Sequence, residues 1–249
     1  MKVEQLGGLK VRLTGGTDGR GGGNGPVVVL LHGWGAPGDD LVPLGHEIDA
    51  PTGTRYVFPE ASLSLQMGFG DPSSTSGPRA ESSGSRGWWM LDIEKRQREI
   101  AAGRARDLSR EVPTGLTEAR AKVVALLDEL ERRIGVKQIV LGGFSQGAML
   151  ACDVALRTGR PLAGLVMLSG TLLAADEWTP LIPKRKGLRV FQSHGSADPL
   201  LPSFMAEQLR DLLKQGGLSV EWVGFRGGHE IPSPVLDKLG GFLRAVLTR

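Results

Sequence analysis

Cysteine, long apolar runs and a charge excess of one sign are scarce or missing in this chain of 249 residues. No stretch reaches 18 apolar residues, so we expect no stable insertion into a membrane. The single cysteine, Cys152, cannot form an internal disulfide, and we expect it to be a small core residue. Thirty basic and 27 acidic residues, spread without a basic stripe, give little electrostatic basis for nucleic-acid binding.

We expect no targeting signal in the first residues. Met1 to Leu13 have neither the basic start nor the apolar stretch of a signal peptide, and nothing in the cysteine content requires an oxidising compartment. We therefore expect a soluble, cytoplasmic protein. The length suits one large α/β domain, and 40% hydrophobic residues suffice for a substantial core. We expect a single domain over residues 1–249.

Short β-rich runs alternate along the chain with amphipathic helical ones, which predicts a mostly parallel central sheet with helices on both faces. The predicted strands are Val27 to Leu31, Tyr56 to Phe58, Leu165 to Leu168, Arg189 to Gln192 and Val220 to Val223. The predicted helices are Thr117 to Ile134, Phe204 to Lys214 and Val235 to Leu247, with a sparser pattern from Asp92 to about Arg110.

Two stretches predict loops. Gly15 to Gly25 holds seven glycines in eleven residues, but no Gly-Lys-Ser/Thr follows, which favours a hairpin loop over a phosphate-binding loop. Asp71 to Gly87 is rich in serine, glycine and proline and cannot bury enough apolar surface to order itself independently. It predicts a flexible insertion, which is either a mobile lid or no more than an insertion.

The segment Gly142 to Met149 follows an apolar run, Ile139 to Leu141, and opens a helical pattern. A serine is typically a nucleophile when it lies in a tight Gly-x-Ser-x-Gly turn between a strand and a helix. This pattern predicts Ser145 as the nucleophile. The serine takes a strained backbone conformation, so the residues two before and two after it must lack side chains, as Gly143 and Gly147 do. The pentapeptide is weak evidence in a chain with 37 glycines, and the prediction rests on its context.

A serine nucleophile needs a base and a carboxylate that orients the base, and in elbow-type hydrolases the order is serine, acid, histidine. Of the two histidines that follow Ser145, His229 lies in a glycine-rich turn after a predicted strand. Among the carboxylates between them, only Asp198 comes directly after a predicted strand, so Ser145, Asp198 and His229 form the predicted triad. The discounted carboxylates are Asp153, Asp176, Glu177, Glu207, Asp211 and Glu221.

Two backbone N–H groups stabilise the oxyanion in such folds, one from the residue after the nucleophile and one from the loop after an early strand. Gln146 supplies the first. The early loop, with Gly33, Trp34 and Gly35, supplies the second from Trp34, and the two glycines let the backbone approach a ligand. We expect His32 to be a hydrogen-bonded scaffold residue rather than a second base.

Four segments carry a family resemblance. They are Leu30 to Gly35, Gly142 to Ala148, His194 to Asp198 and Gly228 to Ile231. In order and rough spacing they resemble the phospholipase/carboxylesterase group of α/β-hydrolases, the relatives of acyl-protein thioesterases. The resemblance implies an α/β-hydrolase fold and hydrolysis of carboxylic esters or thioesters without metal or organic cofactor. It also implies Ser145, Asp198 and His229 as the catalytic residues, with Trp34 and Gln146 as oxyanion donors.

The substrate and its contacts stay open. Trp88 or Trp89, directly after the insertion, lines an acyl groove or packs in the core. The expected partner is a small-molecule acyl ester or thioester, with lysophospholipids included. The alternatives are a non-catalytic small-molecule receptor on the same fold, or a hydrolase of lactones, peracids or carbon–carbon bonds that uses the same triad.

Overall fold

The computed structural model describes residues 1–65, 84–91, 98, 109–134 and 138–248. The strands are β1 (Lys2–Leu6), β2 (Leu9–Gly16), β3 (Arg20–Gly22), β4 (Val27–Leu31), β5 (Arg55–Pro59), β6 (Leu63–Ser64), β7 (Arg86–Gly87), β8 (Ile139–Phe144), β9 (Gly164–Leu168), β10 (Arg189–Gly195) and β11 (Ser219–Phe225). The helices are α1 (Leu44–Glu47), α2 (Leu116–Ile134), α3 (Gln146–Thr158), α4 (Ala175–Trp178), α5 (Ser203–Gln215) and α6 (Ser233–Leu247), with a 3-10 turn at Ile182–Arg185.

The main sheet has the strand order β1-β2-β5-β4-β8-β9-β10-β11, with β3 beside β2. From β5 to β11 each strand runs parallel to its neighbour. The pairs β1–β2 and β2–β5 are antiparallel. The predicted mostly parallel sheet is therefore confirmed, with an antiparallel hairpin at one edge.

The N-terminal hairpin is not among the predicted strands. β1 is an edge strand whose first four residues are exposed or half-buried, so it lacks the unbroken aliphatic run that marks the central strands. The glycine-rich stretch from Gly15 to Gly25 begins with the last two residues of β2 and continues into a turn. Asp18 Oδ1 accepts hydrogen bonds from the N–H groups of Arg20 and Gly22, each at 2.8 Å. The stretch also holds the short strand β3, which pairs parallel with β2 and not antiparallel, as the predicted hairpin loop would require.

Helices cover both faces of the sheet, because alternate side chains of β4 point into two different cores. Val27, Val29 and Leu31 belong to the core on the face covered by α2, α3 and α5. Val28 and Leu30 point the other way, into the core formed with α1 and α6. Since both faces are covered, the carboxyl ends of the parallel strands are the edge where loops can build a site.

Cys152 lies in α3 and is fully buried, which confirms it as a core residue. Burial raises the pKa of its thiol well above the ordinary value. The predicted helix from Asp92 to about Arg110 and most of the insertion from Asp71 to Gly87 fall outside the described residues. Among the helices of the described ranges, none has the length and apolar character needed to cross a membrane.

Candidate active site

Ser145 stands between β8 and α3 with a backbone that side-chain-bearing residues rarely adopt. Its φ is 54° and its ψ is −117°. The backbone N–H of Ser145 donates a hydrogen bond to the carbonyl oxygen of Leu168, at the end of β9, at 2.8 Å. A strand-to-helix turn of this shape presents a serine hydroxyl above the end of the sheet.

The glycines around Ser145 have no room for side chains. A Cβ atom added to Gly143 would lie 2.5 Å from the Leu31 carbonyl oxygen, and one added to Gly147 would lie 2.6 Å from the carbonyl oxygen of His32. Backbone atoms cannot give way as a side-chain end can. The turn therefore requires glycine at both positions for a steric reason.

Asp198 and His229 follow neighbouring parallel strands, β10 and β11, so their loops emerge side by side. His229 Nδ1 lies 2.6 Å from Asp198 Oδ2. Backbone hydrogen bonds join the two loops. Ser196 N–H donates to the Phe225 carbonyl at 2.8 Å, and Ala197 N–H donates to the Gly227 carbonyl at 2.9 Å. The acid and the base are thus held together by backbone as well as by their own contact.

The Asp198 carboxylate has four donors around it. Oδ1 accepts the N–H groups of Leu200 and Leu201 at 2.8 and 2.9 Å. Oδ2 contacts His229 and also Nε2 of the fully buried His194, at 3.3 Å. Burial by itself raises the pKa of Asp198, but the hydrogen bonds from His194, His229 and the Leu201 N–H outweigh it and hold the pKa well below its ordinary value. The carboxylate therefore stays ionised.

The ring of His229 lies over the residue that precedes the nucleophile. Its centroid is 4.8 Å from that of Phe144, and the two planes are tilted by 45°. Ser169 Oγ donates to the carbonyl oxygen of Glu230, the next residue, at 3.3 Å. With Nδ1 bound to the carboxylate of Asp198, Nε2 is the nitrogen left to accept a proton. The structure brings Ser145, Asp198 and His229 to one end of the sheet.

The early loop passes over the nucleophile. A Cβ atom on Gly33 would lie 3.4 Å from the Cβ of Ser145. The N–H of Gln146, the first residue of α3, has no acceptor inside the helix. Among the described residues, neither Trp34 N–H nor Gln146 N–H donates to a backbone carbonyl. These two N–H groups are the donors that the sequence predicts for the oxyanion.

His32 is buried and has a single tautomer that suits its partners. Ala61 N–H donates to Nε2 at 3.1 Å, so the ring proton is on Nδ1, which donates to the Gly33 carbonyl oxygen at 2.8 Å. Burial lowers the pKa of His32, and the hydrogen bond to Gly33 offsets only part of that effect. Both ring nitrogens are used by the backbone, which is the role of a scaffold residue.

Trp88 and Trp89 are both in the hydrophobic core, with 3% and 1% of their surface exposed. The indole N–H of Trp88 donates to the His32 carbonyl oxygen at 2.9 Å. The side chain of Gln146 accepts a hydrogen bond from Trp88 N–H at 2.8 Å and donates one to the Trp89 carbonyl at 3.0 Å. These contacts are the ones expected if the two tryptophans pack in the core. A role for either indole in an acyl groove stays a prediction.

Two features of the site were missed by sequence reasoning. The first is His194, whose place near the end of β10 and four residues before Asp198 was a usable signal. The contacts of Gln146 with Trp88 and Trp89 had no local signal at all. Within the described ranges, no group of three or more His, Cys, Asp or Glu side chains is arranged to hold a metal ion.

Comparison with known proteins identifies the family of this chain. The family model described as phospholipase/carboxylesterase matches residues 104–247, so the chain belongs to that family. Two curated relatives are acyl-protein thioesterase 1 of Neurospora crassa, 35% identical over 119 residues, and that of Gibberella zeae, 32% identical over 123 residues. The matches cover 46% and 48% of this chain, and 49% and 52% of the relatives, so the chain spans about half the length of each.

Solved structures resemble the whole chain. Esterase PE8 is similar with a TM-score of 0.73 and 25% identity, covering 99% of this chain and 100% of that one. The carboxylesterase of Bacillus cereus has a TM-score of 0.64 at 18% identity, covering 96% of this chain and 94% of its own. The similarities confirm the expected α/β-hydrolase fold.

Proposed function

We propose that the protein is a serine hydrolase that cleaves carboxylic esters or thioesters through an acyl-enzyme intermediate. The observation that carries the proposal is the 2.6 Å contact of Asp198 with His229, beside a nucleophile elbow that holds Ser145. A receptor on the same fold needs neither a strained serine nor an oriented imidazole. The family of the chain and the thioesterase names of its curated relatives support the same reading.

Acylation begins when Ser145 Oγ attacks the substrate carbonyl carbon and His229 Nε2 takes the hydroxyl proton. Asp198 stays ionised and stabilises the imidazolium. The carbonyl oxygen becomes an oxyanion and accepts hydrogen bonds from the N–H groups of Trp34 and Gln146. When the bond to the leaving oxygen or sulfur breaks, His229 returns the proton to the leaving group, and the acyl group stays on Ser145.

Deacylation repeats the steps with water. His229 takes a proton from a water molecule, the hydroxide attacks the acyl carbon, and the carboxylic acid leaves as Ser145 recovers its proton. The substrate we propose is a small acyl ester or thioester, with lysophospholipids in the same class. A cytoplasmic location stays a prediction of the sequence.

The test is kcat/KM for a chain-length series of nitrophenyl esters and matched thioesters. We expect turnover that disappears in Ser145→Ala and is unchanged in Ser219→Ala, since Ser219 is exposed and starts β11 at the far end of the sheet. A short-chain ester optimum indicates a small-molecule carboxylesterase. A rise toward long chains or thioesters indicates a lipid or acyl-protein substrate.

Labelling by a fluorophosphonate separates the remaining alternatives. If Ser145 is labelled but no ester or thioester is turned over, the triad serves lactones, peracids or carbon–carbon bonds. If wild-type protein is neither labelled nor active, the serine is not activated, and the receptor reading replaces the proposed one.

A further inference from the structure

Trp88 makes polar contacts with two different parts of the site. Its indole N–H donates to the carbonyl oxygen of His32, in the loop that precedes Trp34. Its backbone N–H donates to the side-chain oxygen of Gln146, the residue after the nucleophile. The two N–H groups assigned to the oxyanion belong to Trp34 and Gln146, so one residue connects the two halves of that site.

On the side of Trp34, two consecutive peptide groups are held in place. The indole of Trp88 holds the His32 carbonyl at 2.9 Å, and the imidazole of His32 holds the Gly33 carbonyl at 2.8 Å. In a trans peptide the C=O and N–H bonds point in opposite directions. Holding the Gly33 oxygen on the His32 side therefore turns the N–H of Trp34 to the opposite side.

Packing reinforces these hydrogen bonds. The rings of His32 and Trp88 have centroids 5.5 Å apart. Further along the loop, Gly35 N–H donates to the Arg86 carbonyl at 2.8 Å, and Arg86 N–H donates to the Ala36 carbonyl at 3.0 Å. The segment that ends in Trp88 thus runs beside the loop of Trp34 and is bonded to it at several points.

On the side of Gln146, the side-chain amide is bonded at both ends. Its oxygen accepts Trp88 N–H at 2.8 Å, and its nitrogen donates to the Trp89 carbonyl at 3.0 Å. Only 1% of Gln146 is exposed. The tether fixes the first residue of α3, and with it the backbone N–H that faces the oxyanion, to the same segment that holds the early loop.

We propose that Trp88 is a positioning residue that sets the N–H groups of Trp34 and Gln146 relative to each other. It touches no reacting atom and acts through the residues that do. The inference rests on the proposed function, because it concerns the donors of that mechanism. A tryptophan that only fills the core needs no indole hydrogen bond, whereas the indole N–H of Trp88 donates to the loop of Trp34 and the backbone N–H of the same residue donates to Gln146.

The test is Trp88→Phe, which keeps an aromatic ring and removes the indole N–H. The expected result is a fall in kcat of about 10- to 100-fold with KM within about 3-fold, since misplaced oxyanion donors weaken transition-state binding. A boronic acid that forms a tetrahedral adduct with Ser145 should lose affinity by a similar factor. Trp178→Phe is the matched control, because Trp178 is fully buried and its indole N–H donates to Asp153 at 2.8 Å, outside the site.

Three outcomes overturn the proposal. A folded Trp88→Phe with wild-type kcat removes the positioning role. A raised KM with unchanged kcat makes Trp88 a substrate contact instead, as in an acyl groove. Equal losses of kcat in Trp88→Phe and Trp178→Phe mean that general packing is responsible.

A second measurement does not depend on turnover. In ¹⁵N–¹H spectra, Trp88→Phe should shift the backbone amides of Trp34 and Gln146, and Trp178→Phe should leave both in place. If the wild-type protein hydrolyses no ester, the proposed function fails, and these amide shifts still decide whether Trp88 positions the two donors. If Trp88→Phe does not fold, Gln146→Met removes the tether while keeping its backbone N–H, and the same fall in kcat is expected. Unchanged kcat in that variant contradicts the proposal.

Discussion

Asp198 Oδ2 lies 2.6 Å from Nδ1 of His229, although 31 positions in the chain separate the two residues. The contact arises because β10 and β11 are parallel neighbours and their carboxyl ends meet at one edge of the sheet. The carboxylate selects the tautomer in which Nδ1 carries the proton and Nε2 is free to act as a base.

Replacing that carboxylate with an amide should prevent His229 from acting as a base while the protein still folds. In Asp198→Asn, we expect kcat to fall by about 10⁴-fold, because an amide nitrogen facing His229 favours the wrong tautomer. An amide oxygen can still accept the N–H groups of Leu200 and Leu201, so thermal unfolding should show a folded protein. Near-wild-type kcat would mean that Asp198 is not the triad acid.

The elbow should not tolerate a methyl group at position 147. We expect Gly147→Ala to lower the free energy of unfolding by at least about 3 kcal/mol, since the added Cβ would collide with the backbone carbonyls of Leu31 and His32. Urea unfolding measures the loss. Gly84→Ala is the control, because no described residue lies within 4 Å of a Cβ at Gly84. Equal stability of the two variants would contradict this account of the turn.

His32 should make the stability of the protein depend on pH. Its pKa is lower in the folded protein than in the unfolded chain, so below about pH 6.5 the unfolded chain binds a proton that the folded protein resists. The free energy of unfolding should therefore fall with decreasing pH, by at most about 1.4 kcal/mol per pH unit from this group, until the folded pKa is reached. Urea unfolding across pH 4 to 8, a range of about four units, measures the slope.

The variant His32→Asn tests this assignment, because it should flatten the dependence below about pH 6.5. An unchanged slope in His32→Asn would assign the pH dependence to other groups.

Asp153 should be important for stability and not for chemistry. It is fully buried in α3 and accepts hydrogen bonds from Arg120 and Arg157 at 2.7 Å and from Trp178 at 2.8 Å. We expect Asp153→Ala to lower the free energy of unfolding by about 3 kcal/mol, because the three donors lose their acceptor. In urea unfolding the exposed Asp237→Ala should behave as wild type. A loss of kcat in folded Asp153→Ala would show that this cluster also serves the active site.

The central strands were predictable because burial on both faces leaves a continuous aliphatic run, as in Val27–Leu31. β1 was not, since its residues are largely exposed and its pairing with β2 depends on a hairpin. The meeting of Asp198 and His229 was predictable from the order of strands and loops, because a parallel sheet brings the ends of successive strands together. That argument needs only the position of each residue after its strand.

The network of Trp88 was out of reach for the same analysis. Trp88 is 56 positions from His32 and 58 from Gln146, and no periodicity relates residues so far apart. The sequence shows that residue 88 has a large apolar side chain, and this suggested contact with a substrate. It does not show which acceptor the indole N–H binds. Only the packed structure shows which carbonyl the N–H meets.

The backbone of Ser145 has a consequence for how this protein could change under selection. At a φ of 54° and a ψ of −117°, the backbone strain would be lower for glycine than for serine by about 1 to 3 kcal/mol. Ser145→Gly should therefore melt at a higher temperature than the native chain while having no nucleophile. A library screened for heat resistance alone would enrich a variant without a nucleophile, so any screen for a more stable form of this protein must also measure turnover.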